Sequence, residues 1–249
     1  MIAITDHDTV RGIETAEIAA ADFGVTLIHG IEITAIERDR DIHVLGYFLD
    51  VQSAALAQFL AEQQSNRVDR LRAMALRLAT LGKPVALEPV LEAAASARRS
   101  VGRPILARAM VAAGHVADIR QAFDLWLGEG RPAHVPRAGA TVREVIEVIH
   151  RAGGLASLAH PAIYACDDAI EGWVGEGLDA VEVYHREHDA AAVERYRAVA
   201  HRGGLLVTGG SDYHGDERPN RSVLGGVTLP DAEYRRLLEA RAPRRIDGA

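Results

Sequence analysis

The sequence predicts an α/β fold built on a largely parallel sheet, and three features of the chain carry that prediction. Helical stretches end near glycine, a short apolar strand follows each, and a metal-ligating residue type stands where each strand stops. The unit recurs in "ADFGVTLIHGIE", ending at Glu32, in "HRAGGLASLAH", ending at His160, and in "HRGGLLVTGGSDYH", ending at Asp212 and His214. "GLDAVEVYH", Gly177 to His185, adds a further strand, and "MIAI" running into His7 obeys the same rule. Alternating β and α units imply a parallel sheet, either open or closed into a barrel. In a β/α barrel the C-terminal strand ends gather on one face, so ligands distant in sequence share one site.

Taken in order, Met1 to Ile4 read as a buried strand that spills Thr5, Asp6, His7 and Asp8 into a loop. Glu32, in "GIEI", is an acid inside an apolar run, where an unpaired charge is costly. His43 lies within the strand-like alternation of "DIHVLGYFLD". From about Ser53 to Arg131 the composition turns to Ala, Leu, Arg and Glu. There Leu56, Phe59 and Leu60, then Leu71, Met74, Leu78 and Leu81, fall at helical spacing, with Gly82 as a stop. A second helical patch starts after Pro104 and ends at Gly128. These stripes are assigned to core. The resulting division is 1–66 and 135–249 for the two parts of the sheet domain, with 67–134 as a helical insertion able to lid or flank the site.

Composition narrows the class. The 249-residue chain, 48% hydrophobic and 25% charged, reads as globular. Its single cysteine, Cys166, permits no internal disulfide and fits a reducing cytoplasm. No apolar run has the length of a membrane span. A net charge of −7 argues against a broad basic face that grips duplex DNA, yet leaves room for a small anionic substrate.

His7, Glu32, His43, His160, Asp212 and His214 form a histidine-carboxylate donor set without cysteine, which suits Mn²⁺, Zn²⁺ or Fe²⁺. A carboxylate has two oxygens and can bridge two cations. Clustered ions of this kind clamp a phosphate and hold the hydroxide that attacks it. Tyr184, His185 and His188 stand at or just past a strand end, where a side chain can face the site. Arg103 in "VGRP" and Arg131 in "GRPAHVP" are candidate phosphate ligands. His160 and His188 are candidates for the acid that protonates a leaving group, and His188 also for substrate binding. His29, His115, His134, His150 and His201 are assigned surface roles.

Together "ITDHDTV", "GIEITA", "DIHVLGYFLD", "GRPILARAMV", "GGLASLAHP" and "GGSDYHG" resemble the PHP family of polymerase and histidinol phosphatase domains. The likeness spans nearly the whole chain. It is strongest to the bacterial branch that acts as 3′,5′-nucleoside bisphosphate phosphatase and 5′-3′ exoribonuclease on short RNA. The resemblance implies a distorted (β/α)7 TIM-like barrel with a helical insertion and a trinuclear site, commonly manganese. It makes Glu32 a bridging ligand, gives His43 and His160 to one metal, Asp212 to the other metal that Glu32 touches, and His7 and His214 to a third. It also implies a small nucleotide or an RNA 5′ end as substrate.

Two departures from the family pattern set further expectations. The pattern begins with a strand carrying His-x-His, a loop aspartate and a helix, all before the segment matched by "TDHD". The sequence is therefore expected to start at the second strand, to lack the first β/α unit, and to be a poor catalyst as it stands. A metal- or nucleotide-binding remnant and a histidinol-phosphate-type monoesterase are the competing readings. The second departure is Ile105, where the family carries histidine after "GRP"; it bears on substrate detail rather than reaction class.

Overall fold

A computed structural model describes residues 1–38, 40–96, 101–164, 166–214 and 223–241. Gly215, the last residue of "GGSDYHG", and the C-terminal residues from 242 lie outside the described residues. The chain divides into two compact units, Met1–Gln58 with Ala140–Ala249, and Phe59–Gly139.

The first unit is built on six strands in the linear order β1-β2-β3-β4-β5-β6. They are β1 (Ile2–Ile4), β2 (Leu27–Glu37), β3 (Arg40–Tyr47), β4 (Leu155–Leu158), β5 (Ala180–His185) and β6 (Leu206–Gly210). Helix α1 (Ile13–Asp22) links β1 to β2, and the strand pair is parallel. The expectation of a largely parallel sheet needs correction here. β2 and β3 are antiparallel, and so are β3 and β4. The reason is the tight turn after Glu37: a parallel return needs a crossover of about a dozen residues or more, and none separates β2 from β3. Parallel pairing resumes from β4 to β5 to β6. Among the described residues β1 and β6 are the two edges of the sheet.

In the helical unit every described element is helical. α2 (Ala54–Thr80) starts in the first unit and runs unbroken into the second, followed by α3 (Glu88–Ser96), α4 (Arg103–Ala112) and the short α5 (Ile119–Ala122), which continues into a π-helical turn over Phe123–Leu127. The two apolar stripes read from sequence lie on this one helix α2, and Gly82 follows it at φ +74°, a left-handed value that glycine adopts without strain. Leu71, Met74 and Leu78 join Ile105, Leu106, Met110 and Leu127 in the core of this unit, whereas Leu81 is 43% exposed. Ile105 thus fills core where the family places a polar group.

Helix α6 (Val142–Arg151) covers one face of the sheet, against β2, β3 and β4. Its Thr141 and Glu144 form a capping box, and Val142, Val145, Ile146 and Ile149 recur at the spacing of one helical face, all fully buried. Beneath it lie the odd-numbered residues of β2, Ile31, Ile33 and Ala35, with Ile42 and Val44 of β3. Gly46 sits where a Cβ would come within 3.2 Å of Ile149 Cγ1 and of Ile31 Cγ2. Strand alternation then sends Glu32, Thr34 and His43 to the opposite face. The register carries that face onward through Ser157, Glu182 and Thr208, where Ser157 Oγ and Thr208 Oγ1 bond at 2.7 Å. Helices α7 (Asp167–Gly175), α8 (Ala190–Gly203) and α9 (Asp231–Ala240) complete the unit, and none of the described helices is long and apolar enough to cross a membrane.

β5 breaks its alternation. Glu182 pairs with Thr208, but Tyr184 pairs with Gly209 and His185 with Gly210, so two residues of β5 oppose one of β6. The bulge brings the chains so close that a Cβ on Gly209 would stand 2.6 Å from Tyr184 Cβ and 2.8 Å from its carbonyl oxygen. Gly209→Ala is expected to cost about 1–3 kcal/mol, the usual penalty of overpacking. Urea unfolding measures it, and an unchanged midpoint would contradict the bulge geometry.

Candidate metal centre

The site is assembled around Glu32, buried at 4% exposure in the middle of β2. His43 sits diagonally across the antiparallel pair, because Glu32 opposes Leu45 while Thr34 opposes His43. Long side chains meet across such diagonals, and His43 Nδ1 lies 2.7 Å from Glu32 Oε1. His160 follows β4, held by its backbone N–H donating to Glu182 Oε2 at 2.8 Å, and puts Nε2 3.2 Å from the same Glu32 oxygen. His7 comes from beyond β1, where pairing with β2 lapses at Thr5 and returns as a parallel bridge between His7 and Glu32. Two backbone bonds lock that bridge, Asp8 N–H to Glu32 O and Glu32 N–H to Asp6 O. His7 Nε2 then stands 3.5 Å from Glu32 Oε2.

Asp212 and His214 follow β6. His214 Nδ1 is 3.3 Å from Asp212 Oδ1, and the His214 ring centroid is 5.7 Å from that of His7. All six residues read from the sequence therefore gather in one neighbourhood, but Glu32 and His43 lie inside β2 and β3 rather than at strand ends as expected, because the antiparallel β2–β3 pairing runs on past them. Of "TDHD" only His7 serves it directly, since Asp8 spends its carboxylate accepting from Thr34 N–H and Thr34 Oγ1. Arg103 and Arg131 belong to the helical unit: Arg103 heads α4 with its guanidinium 5.7 Å from the Phe123 ring centroid, and Arg131 sits in the turn closed by its own N–H to Gly128 O.

Sequence reasoning passed over Glu182 and Arg186 and left His185 open. Glu182 is a lone acid in an apolar strand, the same signal as Glu32. Burial first, then the charges of Glu32 and Asp212, push it from 4.5 up to about 8, against the pull of the His160 backbone bond. The β5 bulge turns His185 to the site side, where Nδ1 accepts from Glu187 N–H and Nε2 is left facing Asp212 Oδ2 at 3.5 Å. Strict alternation hides this, because it sends Glu182 and His185 to opposite faces. Arg186 Nη2 reaches Asp212 Oδ2 at 3.3 Å. His188 has the opposite tautomer to His185: Nδ1–H donates to Val183 O at 2.8 Å, which leaves Nε2 as a buried acceptor. Burial, with the neighbouring His185 and His160, lowers the pKa of His188. Tyr164 supports the cluster from the side by accepting His43 N–H at 3.2 Å, with its ring 5.2 Å from that of His160.

The donor set fits divalent cations. One atom each of His7, Glu32 and His43 lie within 4.8 Å of one another. Buried His43 Nδ1, His160 Nδ1 and His188 Nε2 have no hydrogen-bond partner. His43 Nδ1 is close to Glu32 yet out of hydrogen-bond alignment. Burial opposes the charge on Glu32, but its contacts to His160 and His43 and the field of His7 outweigh burial and hold it far below the ordinary carboxylate range. Asp8, His160 and Asp212 adopt left-handed φ of 53°, 27° and 48°. Non-glycine residues in that region each cost on the order of 1–3 kcal/mol, and such strain concentrates at functional sites.

A pH test isolates Glu182. A carboxyl whose folded pKa is raised contributes stability that is complete below about 4.5 and lost as pH rises towards 8. In chelator, the stability of the wild type relative to Glu182→Gln is expected to fall across that window. Denaturant midpoints at half-unit pH steps measure it; a constant difference would show that Glu182 is not buried as described.

No family model matches the chain. It is 33% identical over 223 residues to the 5′-3′ exoribonuclease Rnm of Salmonella typhimurium, covering 86% of this chain and 74% of that one. It is 29% identical over 254 residues to the 3′,5′-nucleoside bisphosphate phosphatase of Chromobacterium violaceum, covering 99% and 89%. A crystal structure of a metal-dependent phosphoesterase from Bifidobacterium adolescentis superposes with a TM-score of 0.77 at 32% identity, over 99% of this chain and 87% of that one.

Proposed function

Because this chain belongs to the PHP-type family of phosphoesterases, we propose that it hydrolyses phosphate esters of nucleotides, releasing phosphate from 3′,5′-nucleoside bisphosphates and trimming short RNA from its 5′ end. The observation that carries this reading is the buried Glu32 carboxylate ringed by His7, His43 and His160, with imidazole lone pairs left unbonded around it. His7, Glu32, His43, His160, Asp212 and His214 are the proposed ligands, with manganese as the preferred ion and up to three ions in a complete family site. Bound there, divalent ions supply a hydroxide near neutral pH and offset charge on the phosphoryl oxygens.

The chain's own groups do the rest. Glu32, held ionised, offers two oxygens to a shared position. His185 and Arg186 orient Asp212 from behind. His188, with its proton fixed on Nδ1, presents a lone pair at Nε2 and is suited to position a hydroxyl or accept a proton there. Arg103 and Arg131 are assigned to substrate phosphate, which suits the planar guanidinium fork. A cytoplasmic setting is the matching proposal, supported by a single cysteine.

The test pairs metal binding with turnover. Phosphate release from 3′-phosphoadenosine 5′-phosphate is expected to need added manganese and to stop with chelator. Glu32→Gln is expected to weaken manganese binding at least about 100-fold, beyond the effect of losing an outer contact. Calorimetric titration reads affinity and a phosphate assay reads turnover; wild-type values of both for the variant would sink the proposal.

A further inference from the structure

Away from the carboxylate-imidazole cluster, the helical unit concentrates positive charge that the net charge of −7 conceals. Arg70 and Arg77 lie about two turns apart on α2, and therefore on one face. Arg70 Nε donates to Val135 O at 2.8 Å and Arg77 Nη1 donates to His134 O, so both guanidiniums are pinned along one extended stretch. Arg103 joins them electrostatically. His134 titrates below its ordinary value, through burial first and then through Arg70, Arg103 and Arg77, with Glu129 opposing.

Two acids of the unit are engaged elsewhere. Asp69 and Glu88 both pair with Arg72, at 3.5 and 3.0 Å. Arg77 is held by a carbonyl, which carries no net charge, and among the described residues no carboxylate pairs with Arg77 or Arg103. Half-buried aromatic rings of the unit carry other cations, Arg103 over Phe123 at 5.7 Å and Lys83 over Trp126 at 5.9 Å, and Ala133 N–H donates to the Trp126 carbonyl at the start of the same stretch. Fixed cations beside aromatic faces are how proteins hold single-stranded nucleic acid without reading its sequence. An acidic peptide would use the cations but not the rings.

We propose that Arg70 and Arg77, pinned on the stretch of His134 and Val135, bind the sugar-phosphate backbone of single-stranded RNA, engaging phosphates other than the one hydrolysed. The choice of RNA rests on the nucleotide phosphoesterase reading, because an enzyme that trims a strand has to hold phosphates it does not cleave. Pinning by backbone carbonyls pre-organises the guanidiniums, so less side-chain freedom is lost when a phosphate arrives.

Arg77→Gln keeps a hydrogen-bond donor for His134 O and removes the charge; Arg77→Lys keeps the charge. Anisotropy of a fluorescein-labelled uridine decamer, measured in chelator over a salt series, reads binding without turnover. Arg77→Gln is expected to bind about 10-fold more weakly, as for loss of a hydrogen bond to a charged group. The slope of log affinity on log salt is expected to shrink by about 0.7. Arg77→Lys should recover most of both, and hydrolysis of 3′-phosphoadenosine 5′-phosphate should stay at the wild-type rate in each variant. Unchanged decamer affinity and slope in Arg77→Gln would overturn the proposal, as would an equal loss on the mononucleotide or equally tight binding of polyglutamate. If the wild type fails to release phosphate while the Arg77 dependence of decamer binding holds, the phosphoesterase reading falls and the RNA site stands.

Discussion

Burying a carboxylate costs several kcal/mol unless donors or positive charge surround it, and Glu32 meets that condition only because three other segments deliver imidazoles to it. Each delivery constrains the fold differently. His43 requires the antiparallel register of β2 and β3; His160 requires the end of β4 and the backbone bond to Glu182; His7 requires a chain that leaves β1 and re-pairs opposite Glu32. Remove any one and the carboxylate loses part of what keeps it ionised inside the protein. The strained backbone at His160 and Asp212 belongs to the same account, since both residues turn sharply from a strand to reach the cluster.

The face opposite α6 explains why these polar groups can gather without dissolving the core. Odd positions of β2 and even positions of β3 carry Ile31, Ile33, Ile42 and Val44 into the helix-covered layer, so hydrophobic burial is finished on one side of the sheet. The other side is free to hold Glu32, His43, Ser157, Glu182 and Thr208, which bond among themselves or to the backbone. The fold thus separates stability from chemistry by strand parity.

Much of this was legible in the chain. Histidines and acids set against apolar strand runs named the residues that gather around Glu32, though Glu32 and His43 fall within their strands and not at the ends, and helical spacing named Leu71, Met74 and Leu78 as core. Sheet direction was not legible, because the recurring helix-glycine-strand unit dominated the reading and the short Glu37–Arg40 connection, which enforces an antiparallel return, was passed over. His185 and Arg186 were hidden by the β5 bulge, an irregularity with no mark in β5 itself beyond the paired glycines it faces on β6. Glu182 had a visible signal, an acid among valines, that was read for Glu32 and not for it. The helical unit was read as core stripes; the meeting of Arg70 and Arg77 with the His134 and Val135 carbonyls depends on tertiary packing that periodicity does not encode.

The extra residue in β5 makes the site depend on how the strand pairs there as well as on side-chain identity. Deleting the residue that the bulge absorbs would restore regular pairing with His185 still opposite Gly210 and on the same face as Glu182. Point substitutions across the same stretch leave that phase intact. Regular pairing at the present chain length would instead send His185 to the face opposite Glu182, so the bulge, rather than residue spacing alone, fixes the geometry of the site.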